Sequence, residues 1–348
     1  MVEAKSGIGN VTANTALVEM GMAYSRSRIL CAAARLGVAD ALGDEVRSVE
    51  ALAEACQADA DALYRLLRAL AAIGVTEETE PRSFRLTAFG KPLRRDVDQS
   101  AWPAVVFWAD LLADSWSLLT ECIRTGKPAA EVRDPRVPSR WSQDPEASSI
   151  FRAVMGTAPA DDYAPIARAW DFSRAKVVAD LGGGGGSLLL AVLELHPHLR
   201  GMLVDLEPSI GAAKTRFAHE EDADRCELMV ADLTRSVPAG ADVYMIKHVL
   251  HGRRDADAVT ILRNCRAVVP ENGTLLIIEF VLPPLVSHAD PDLESHLMSD
   301  LNMLAVTGGR ERSEREWKAL LEAAGFRLTS VTPVGSDVGI VEAKPAQA

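Results

Sequence analysis

Val177-Val-Ala-Asp-Leu-Gly-Gly-Gly-Gly-Gly-Ser187 is the stretch that decides how the rest of the chain is read. Val177 to Ala179 is a short apolar run of the kind that forms a buried strand. Asp180 follows, then five glycines, Gly182 to Gly186, and Leu188 to Leu195 starts a helical pattern. Strand, glycine turn and helix together make the ligand-binding corner of an open, doubly wound α/β sheet. Glycine lets the backbone approach a ligand that a Cβ would hold off, and the start of the helix offers N–H groups. Two familiar versions of this corner do not fit. A dinucleotide fingerprint needs glycines at i, i+2 and i+5, and Ser187 or Leu188 falls where the third should be. A phosphate-cradling P-loop needs a lysine at its end, and none is present. What does fit is Asp-x-Gly-x-Gly-x-Gly, carried by Asp180, Gly182, Gly184 and Gly186.

Downstream, strands and helices alternate as in a doubly wound sheet. The expected strands are Lys176–Asp180, Gly201–Asp205, Glu227–Val230, Val243–Lys247 and Thr274–Glu279. A helix over Ser313–Ala324 and a final strand pair, Arg327–Pro333 and Gly339–Glu342, complete the pattern. At 348 residues the chain has room for two domains. We expect a helical domain over 1–170 and an α/β domain over 171–348. A hydrophobic content of 48% with 25% charged residues is that of an ordinary soluble protein. No apolar run reaches the length of a membrane span, so no membrane partner is expected. The five cysteines are scattered and form no Cys-x-x-Cys pair. That usage suits a reducing, cytoplasmic setting and argues against a disulfide framework or a structural zinc site.

In the N-terminal part, apolar residues recur at helical spacing from Ala13 to Leu42, and Gly37 is the expected break. So much apolar surface near a terminus suggests burial against a second subunit. Ser48 is an N-cap candidate for a short helix, and Asp59 to Ile73 carries Leu63, Leu66, Leu67 and Leu70 on one face. With Pro81 to Phe89 as a wing, residues 44 to 95 look like a winged helix. The segment holds nine acids and eight bases, and the whole chain carries a net charge of −12. DNA binding leans on phosphate neutralisation, so no nucleic acid partner is expected. Residues 101 to 170 are helical in pattern and hold five of the six tryptophans, Trp141 among them. Phe151 and Met155 sit four apart and share a helix face, either as plain core or as the lining of a pocket for a flat molecule.

Several polar residues fall at strand ends. Asp205, 23 residues after Gly182, is placed to accept hydrogen bonds from ribose hydroxyls, and Asp232 from an adenine amino group with Leu233 against the ring. Each acid alone is equally well a helix cap. Lys247 is either a nucleoside contact or a solvated strand terminus. In Met245-Ile-Lys-His-Val-Leu-His-Gly-Arg-Arg254, His251 is the first candidate for a general base and His248 its competitor. Glu279, after four apolar residues, needs a partner, and a histidine N–H is a suitable one. Glu311 can do the same from another side, or make a surface salt bridge.

These motifs together resemble the plant-type small-molecule O-methyltransferases, the group of caffeic acid, acetylserotonin and bacterial antibiotic O-methyltransferases. The resemblance rests on Arg35-Leu-Gly-Val-Ala-Asp-Ala-Leu42, the winged-helix segment, Asp180 to Gly186, Lys247 to His251, Pro270-Glu-Asn-Gly273, Glu279-Phe-Val-Leu-Pro283, Asp300-Leu-Asn-Met303 and Gly308-Gly-Arg-Glu-Arg312. It implies a Rossmann-like domain binding S-adenosylmethionine (SAM), preceded by an all-helical, winged-helix-like dimerisation domain, in a homodimer. It implies methyl transfer to a hydroxyl, in the first place a phenol, on a small aromatic or natural-product molecule. Within it, His251 takes the place of the general base, flanked by Glu279 and Glu311. The cofactor set is Asp180, Gly182, Gly184, Gly186, Asp205, Leu206, Asp232, Leu233 and Lys247. The acceptor positions are Phe151, Met155, Met298 and Asn302. No metal is expected, since no ligand cluster shows suitable spacing. One departure is clear: relatives often read His-Asp-Trp where this chain has His251-Gly252-Arg253. C- or N-methylation, a non-methylating relative on the same fold, and a SAM-binding regulator are the alternative readings.

Overall fold

The computed structural model describes residues 12–134, 144–156, 160–218, 220, 222–286, 291–335 and 338–347. Trp141 and the middle of the 283–291 loop lie outside them. The chain divides into two compact units, Met1–Asp114 with Asp144–Val154, and Ser115–Gln143 with Met155–Ala348.

The first unit opens with the helix Ala13–Leu36, capped by the Thr12 side chain, which accepts from the Thr15 N–H. It ends at Gly37, whose φ of 69° is left-handed and whose N–H returns to the Ala33 and Ala34 carbonyls. Leu17, Met20 and Tyr24 on this helix are exposed in the single chain. Ser48 caps the helix Val49–Ala55, and Asp59 caps Ala60–Ala72, each accepting from a backbone N–H three residues on. Leu63, Leu67 and Leu70 of the second helix are buried. The expected wing is a hairpin of β2 (Thr76–Glu80) and β3 (Ser83–Leu86), with β1 (Arg47–Ser48) added antiparallel to β3. The helices of this unit therefore share it with a small three-stranded sheet.

The second unit is built on a seven-stranded sheet. Its strands are β4 (Val177–Leu181), β5 (Arg200–Asp205), β6 (Cys226–Val230), β7 (Val243–Lys247), β8 (Thr274–Glu279), β11 (Phe326–Val334) and β12 (Val338–Pro345). Their order is β11-β12-β8-β7-β4-β5-β6. β4 to β8 run parallel, β12 is antiparallel to β8, and β11 is antiparallel to β12. Chain order reverses at β4, which lies between β5 and β7, so the crevice beyond its carboxyl end is the switch point where such sheets bind ligands.

Alternation along the strands sorts side chains to two faces. Ala179, Leu181, Tyr244, Ile246, Leu275 and Ile277 enter one buried cluster. Val178, Leu203, Val243, Met245, Leu276 and Ile278 enter another, against the fully apolar helix Ser187–Leu195. Each such buried Leu, Ile or Val contributes roughly 1.5–3 kcal/mol of transfer free energy. The same parity, carried to the strand ends, puts Asp180, Asp205 and Lys247 on the side of the second cluster and Glu279 on the side of the first. A short parallel pair, β9 (Val281–Leu282) with β10 (Arg312–Ser313), stands Val281 opposite Arg312. Among the described residues no helix is long and apolar enough to cross a membrane.

Candidate functional site

Beyond the end of β4 the chain turns sharply. Gly182, Gly184 and Gly186 all take positive φ (71°, 57° and 78°), so the alternate glycines of the pattern are the ones that need left-handed backbone. At Gly186 a Cβ would also lie 2.6 Å from the Phe217 ring, whereas at Gly184 it would meet open space. Asp205, at the end of β5, holds this turn in place. One of its oxygens accepts the Gly184 N–H at 2.8 Å and the other the Leu206 N–H at 2.6 Å. Leu206 is 53% exposed, an apolar side chain left uncovered at the crevice.

Asp180 lies beneath the loop rather than open to the crevice. It is 1% exposed, neither of its oxygens has a hydrogen-bond partner, and a Cβ on Gly183 would lie 2.4 Å from Oδ2. Burial pushes its carboxyl up to about 7, against the pull of the nearby Lys247 ammonium. Lys247 is not a solvated terminus: its Nζ stands 5.1 Å from the centre of the Tyr163 ring, and burial lowers its pKa despite Glu279 and Asp180. Asp232 accepts from the Thr234 N–H and hydroxyl at 3.0 and 2.7 Å, so it caps a turn rather than the helix that was its alternative. Leu233 is 9% exposed and belongs to the first core cluster, close to where a Gly182 Cβ would be. A cofactor with cationic groups and a nucleoside suits this corner. It has an unpartnered buried carboxyl, a turn that side chains would fill, and an uncovered leucine beside an accepting aspartate.

The second corner is formed by His248, His251, Glu279 and Glu311. Glu279 is fully buried at the end of β8. Its Oε1 accepts the backbone N–H groups of Val249, Leu250 and His251 at 3.1, 3.0 and 3.3 Å, and its Oε2 accepts from His248 Nδ1 at 3.1 Å. This ring of donors follows a left-handed residue, His248 at φ 50°. Burial would raise the Glu279 pKa, but the two histidines and the backbone donors bring it below the usual carboxylate value. His251 Nδ1 donates to Glu311 Oε1 at 2.8 Å and lies 3.6 Å from Glu279 Oε2. Glu311 is therefore the hydrogen-bonded orienter, and Glu279 supplies charge from slightly farther away. Burial pulls the His251 pKa down, and the two carboxylates more than offset it, so the net shift is upward. Burial, assisted by Lys247 and His251, leaves His248 below its ordinary value. Glu311 is 1% exposed, which removes the surface salt-bridge reading.

The acceptor positions fall on two helices. Phe151 and Met155 do share the helix Pro145–Gly156, but Phe151 belongs to the first unit and Met155 to the second. Met298 and Asn302 share the helix Pro291–Val306 in the second unit. Met298 is 46% exposed, while Asn302 is buried with its Oδ1 accepting from Trp116 Nε1 at 3.0 Å.

Three residues of this corner were not singled out from sequence. Arg312 is 1% exposed and bonds the Leu250, Arg253 and Arg310 carbonyls and Asp255, so it ties the turn carrying His251 to the strand after Glu311. Ser299 donates to Glu311 Oε1 at 2.9 Å, and Asp300 accepts the Glu311 N–H at 2.8 Å. Only Arg312 had a signal, a charge directly beside the candidate Glu311. The fold also makes a grouping that sequence spacing did not reveal: ligand atoms of His248, His251 and Glu279 lie within 4.8 Å of one another. The carboxylate oxygens of Glu279 already accept four N–H groups.

A seven-stranded sheet with this switch point, glycine turn and acidic strand ends defines a Rossmann-like nucleoside-cofactor enzyme. Residues 116–327 match the model of the O-methyltransferase domain, and residues 18–95 that of the O-methyltransferase dimerisation domain. The chain is 36% identical to the phenazine O-methyltransferase PhzM of Lysobacter antibioticus, over 97% of this chain and 98% of that protein. It is 38% identical to the O-demethylpuromycin-O-methyltransferase of Streptomyces alboniger, over 92% of this chain and 86% of that one. Among solved structures, an O-methyltransferase (NcsB1) from neocarzinostatin biosynthesis, in complex with SAM and 2-hydroxy-5-methyl naphthoic acid, superposes with a TM-score of 0.79. That match has 31% identity and covers 97% of this chain and all of the other. The chain belongs to the O-methyltransferase family and is a SAM-dependent enzyme of that family.

Proposed function

We propose that the chain methylates a phenolic hydroxyl of a small aromatic natural product, with His251 as general base. The observation that carries this is the His251–Glu311 contact of 2.8 Å, with Glu279 3.6 Å away. A carboxylate only accepts, so the bond places the proton on Nδ1 and leaves Nε2 as the basic nitrogen. SAM supplies an electrophilic methyl group when bound. His251 takes the hydroxyl proton at Nε2, and Glu311 and Glu279 stabilise the imidazolium that results. Gly182, Gly184 and Gly186 give the close approach, Asp205 accepts from ribose hydroxyls, Asp232, Lys247 and the uncovered Leu206 serve the adenosine end, and Asp180, beneath the loop, favours the cationic end. Leu233 supports the loop from the core. Met155, Met298 and Asn302, all of the second unit, are the proposed acceptor contacts. Much of the rate should come from alignment of the two reactants.

The test is a titration with S-adenosylhomocysteine followed by transfer of labelled methyl from SAM to a phenol library. Micromolar binding and label recovered as an aryl methyl ether are expected. Label recovered on nitrogen or carbon instead would replace this reading with the N- or C-methylation alternative.

We also propose a homodimer formed through the N-terminal segment. Leu17, Met20 and Tyr24 are 68%, 69% and 65% exposed in the single chain, an apolar face that a second copy would cover. Sedimentation at micromolar concentration should give twice the chain mass of 37.4 kDa; a monomer would refute it. The five free cysteines, four of them buried, suit the reducing cytoplasm.

A further inference from the structure

His248 is the residue of the base corner that the proposed reaction does not use. Its ring stacks on that of His251, with centroids 5.2 Å apart and planes 27° from parallel. Its Nδ1 is held by Glu279 and that of His251 by Glu311. Both acids accept only, so each Nδ1 is the donor, and each neutral ring presents Nε2 as a bare acceptor on its opposite edge. Among the described residues neither Nε2 has a hydrogen-bond partner, and neither is among the buried unpartnered atoms, so both edges are open. Two acceptors therefore lie on stacked rings, and among the described residues neither has a donor. Phe280 flanks the His248 ring at 5.2 Å and itself stacks on His296 at 4.1 Å, so the pair sits beside a run of flat rings. The backbone at His248 is held left-handed, a conformation that an ordinary side chain adopts only at a cost.

We propose that His248 reads the methyl acceptor. Its open Nε2, held beside that of His251, accepts a hydrogen bond from a second hydroxyl or N–H on the ring position next to, or next but one from, the hydroxyl that is methylated. The acceptor is then an arene with two neighbouring donors, one losing its proton to His251 and the other retained on His248. The inference rests on His251 being the base. A site built around a substrate donor discriminates against the analogue that lacks it, because its own polar atom is left unpaired. At a partly open site the preference should be roughly ten- to hundredfold in kcat/KM.

The experiment compares matched acceptors, a 1,2-dihydroxyarene and the same ring with one hydroxyl removed, on the wild type and on His248→Asn. Asparagine tolerates the left-handed backbone. His248→Phe, which keeps the ring stack, is the second variant, and S-adenosylhomocysteine titration verifies that each is folded. The wild type should prefer the diol, chiefly through KM, and both variants should bring the preference close to one. Methylation of phenols without such a preference overturns the inference alone. So does a preference that survives in both variants, or an equal loss on both acceptors, which would make His248 only a support for Glu279. No methylation of any phenol by the wild type overturns the proposed acceptor class and this inference with it.

Discussion

The proposed cofactor corner and the proposed base corner lie at strand ends of one sheet but are made of different material. The first is mainly backbone: a left-handed glycine turn pinned by Asp205, with a single buried carboxyl, Asp180, under it. The second is mainly side-chain charge: two buried glutamates orient two histidines, and Arg312 staples the segments together. The difference is one of tolerance. A backbone turn fails through geometry, one residue at a time. A charge network fails by leaving buried partners unpaired, so its members act as a unit. The first corner should thus govern binding, and the second turnover.

The largest effect should come from His251→Ala. Turnover should fall by about 10²–10⁴, the usual contribution of a positioned base, while S-adenosylhomocysteine binding changes little. Steady-state kinetics paired with calorimetry reads both, and unchanged turnover would remove His251 from the mechanism. Next is Gly184→Ala, where there is room for the methyl group and only the φ of 57° resists it. Holding alanine in that region costs about 1–2 kcal/mol, so cofactor affinity should weaken roughly tenfold with little change in turnover at saturation. A loss of turnover without a loss of affinity would blur the division between the corners.

Glu311→Gln should give the smallest of the three effects and the clearest change in pH dependence. His251 must be neutral to accept a proton, so kcat/KM rises with pH through its pKa, which burial lowers but Glu279 and Glu311 raise above the ordinary imidazole value. Removing the Glu311 charge takes away part of that upward pull, and the rising limb should move to lower pH. Turnover at the plateau should drop severalfold, because a weaker base does the work. A limb that stays in place, or moves to higher pH, would show that Glu311 does not act on His251.

Much of the first corner was legible in the chain, because strand period and turn chemistry are local. The strands ending at Lys247 and Glu279 have the bounds that their apolar runs predicted, and β4, β5 and β6 shift by a single residue at their ends. The alternate glycines show as left-handed positions for the same reason. Asp180 was harder to judge: its place in the pattern was clear, but its burial under Gly183 depends on how the loop folds back. The second corner was legible only as candidates. His251, Glu279 and Glu311 could be named, yet their hydrogen bonds could not be assigned, since the partners are 28 to 60 residues apart.

The sequence by itself determined the class of fold, the left-handed glycine turn and which histidines and acids fall near strand ends, because hydrophobic period, turn glycines and charges at the ends of apolar runs are properties of short stretches. Tertiary structure alone decided which acid orients which histidine, that Arg312, Ser299 and Asp300 stand behind Glu311, and that His248 lies beside His251 with its far edge open. Those outcomes depend on the β9–β10 pairing and on packing between distant segments, where a shift of one residue would send a side chain to the other face.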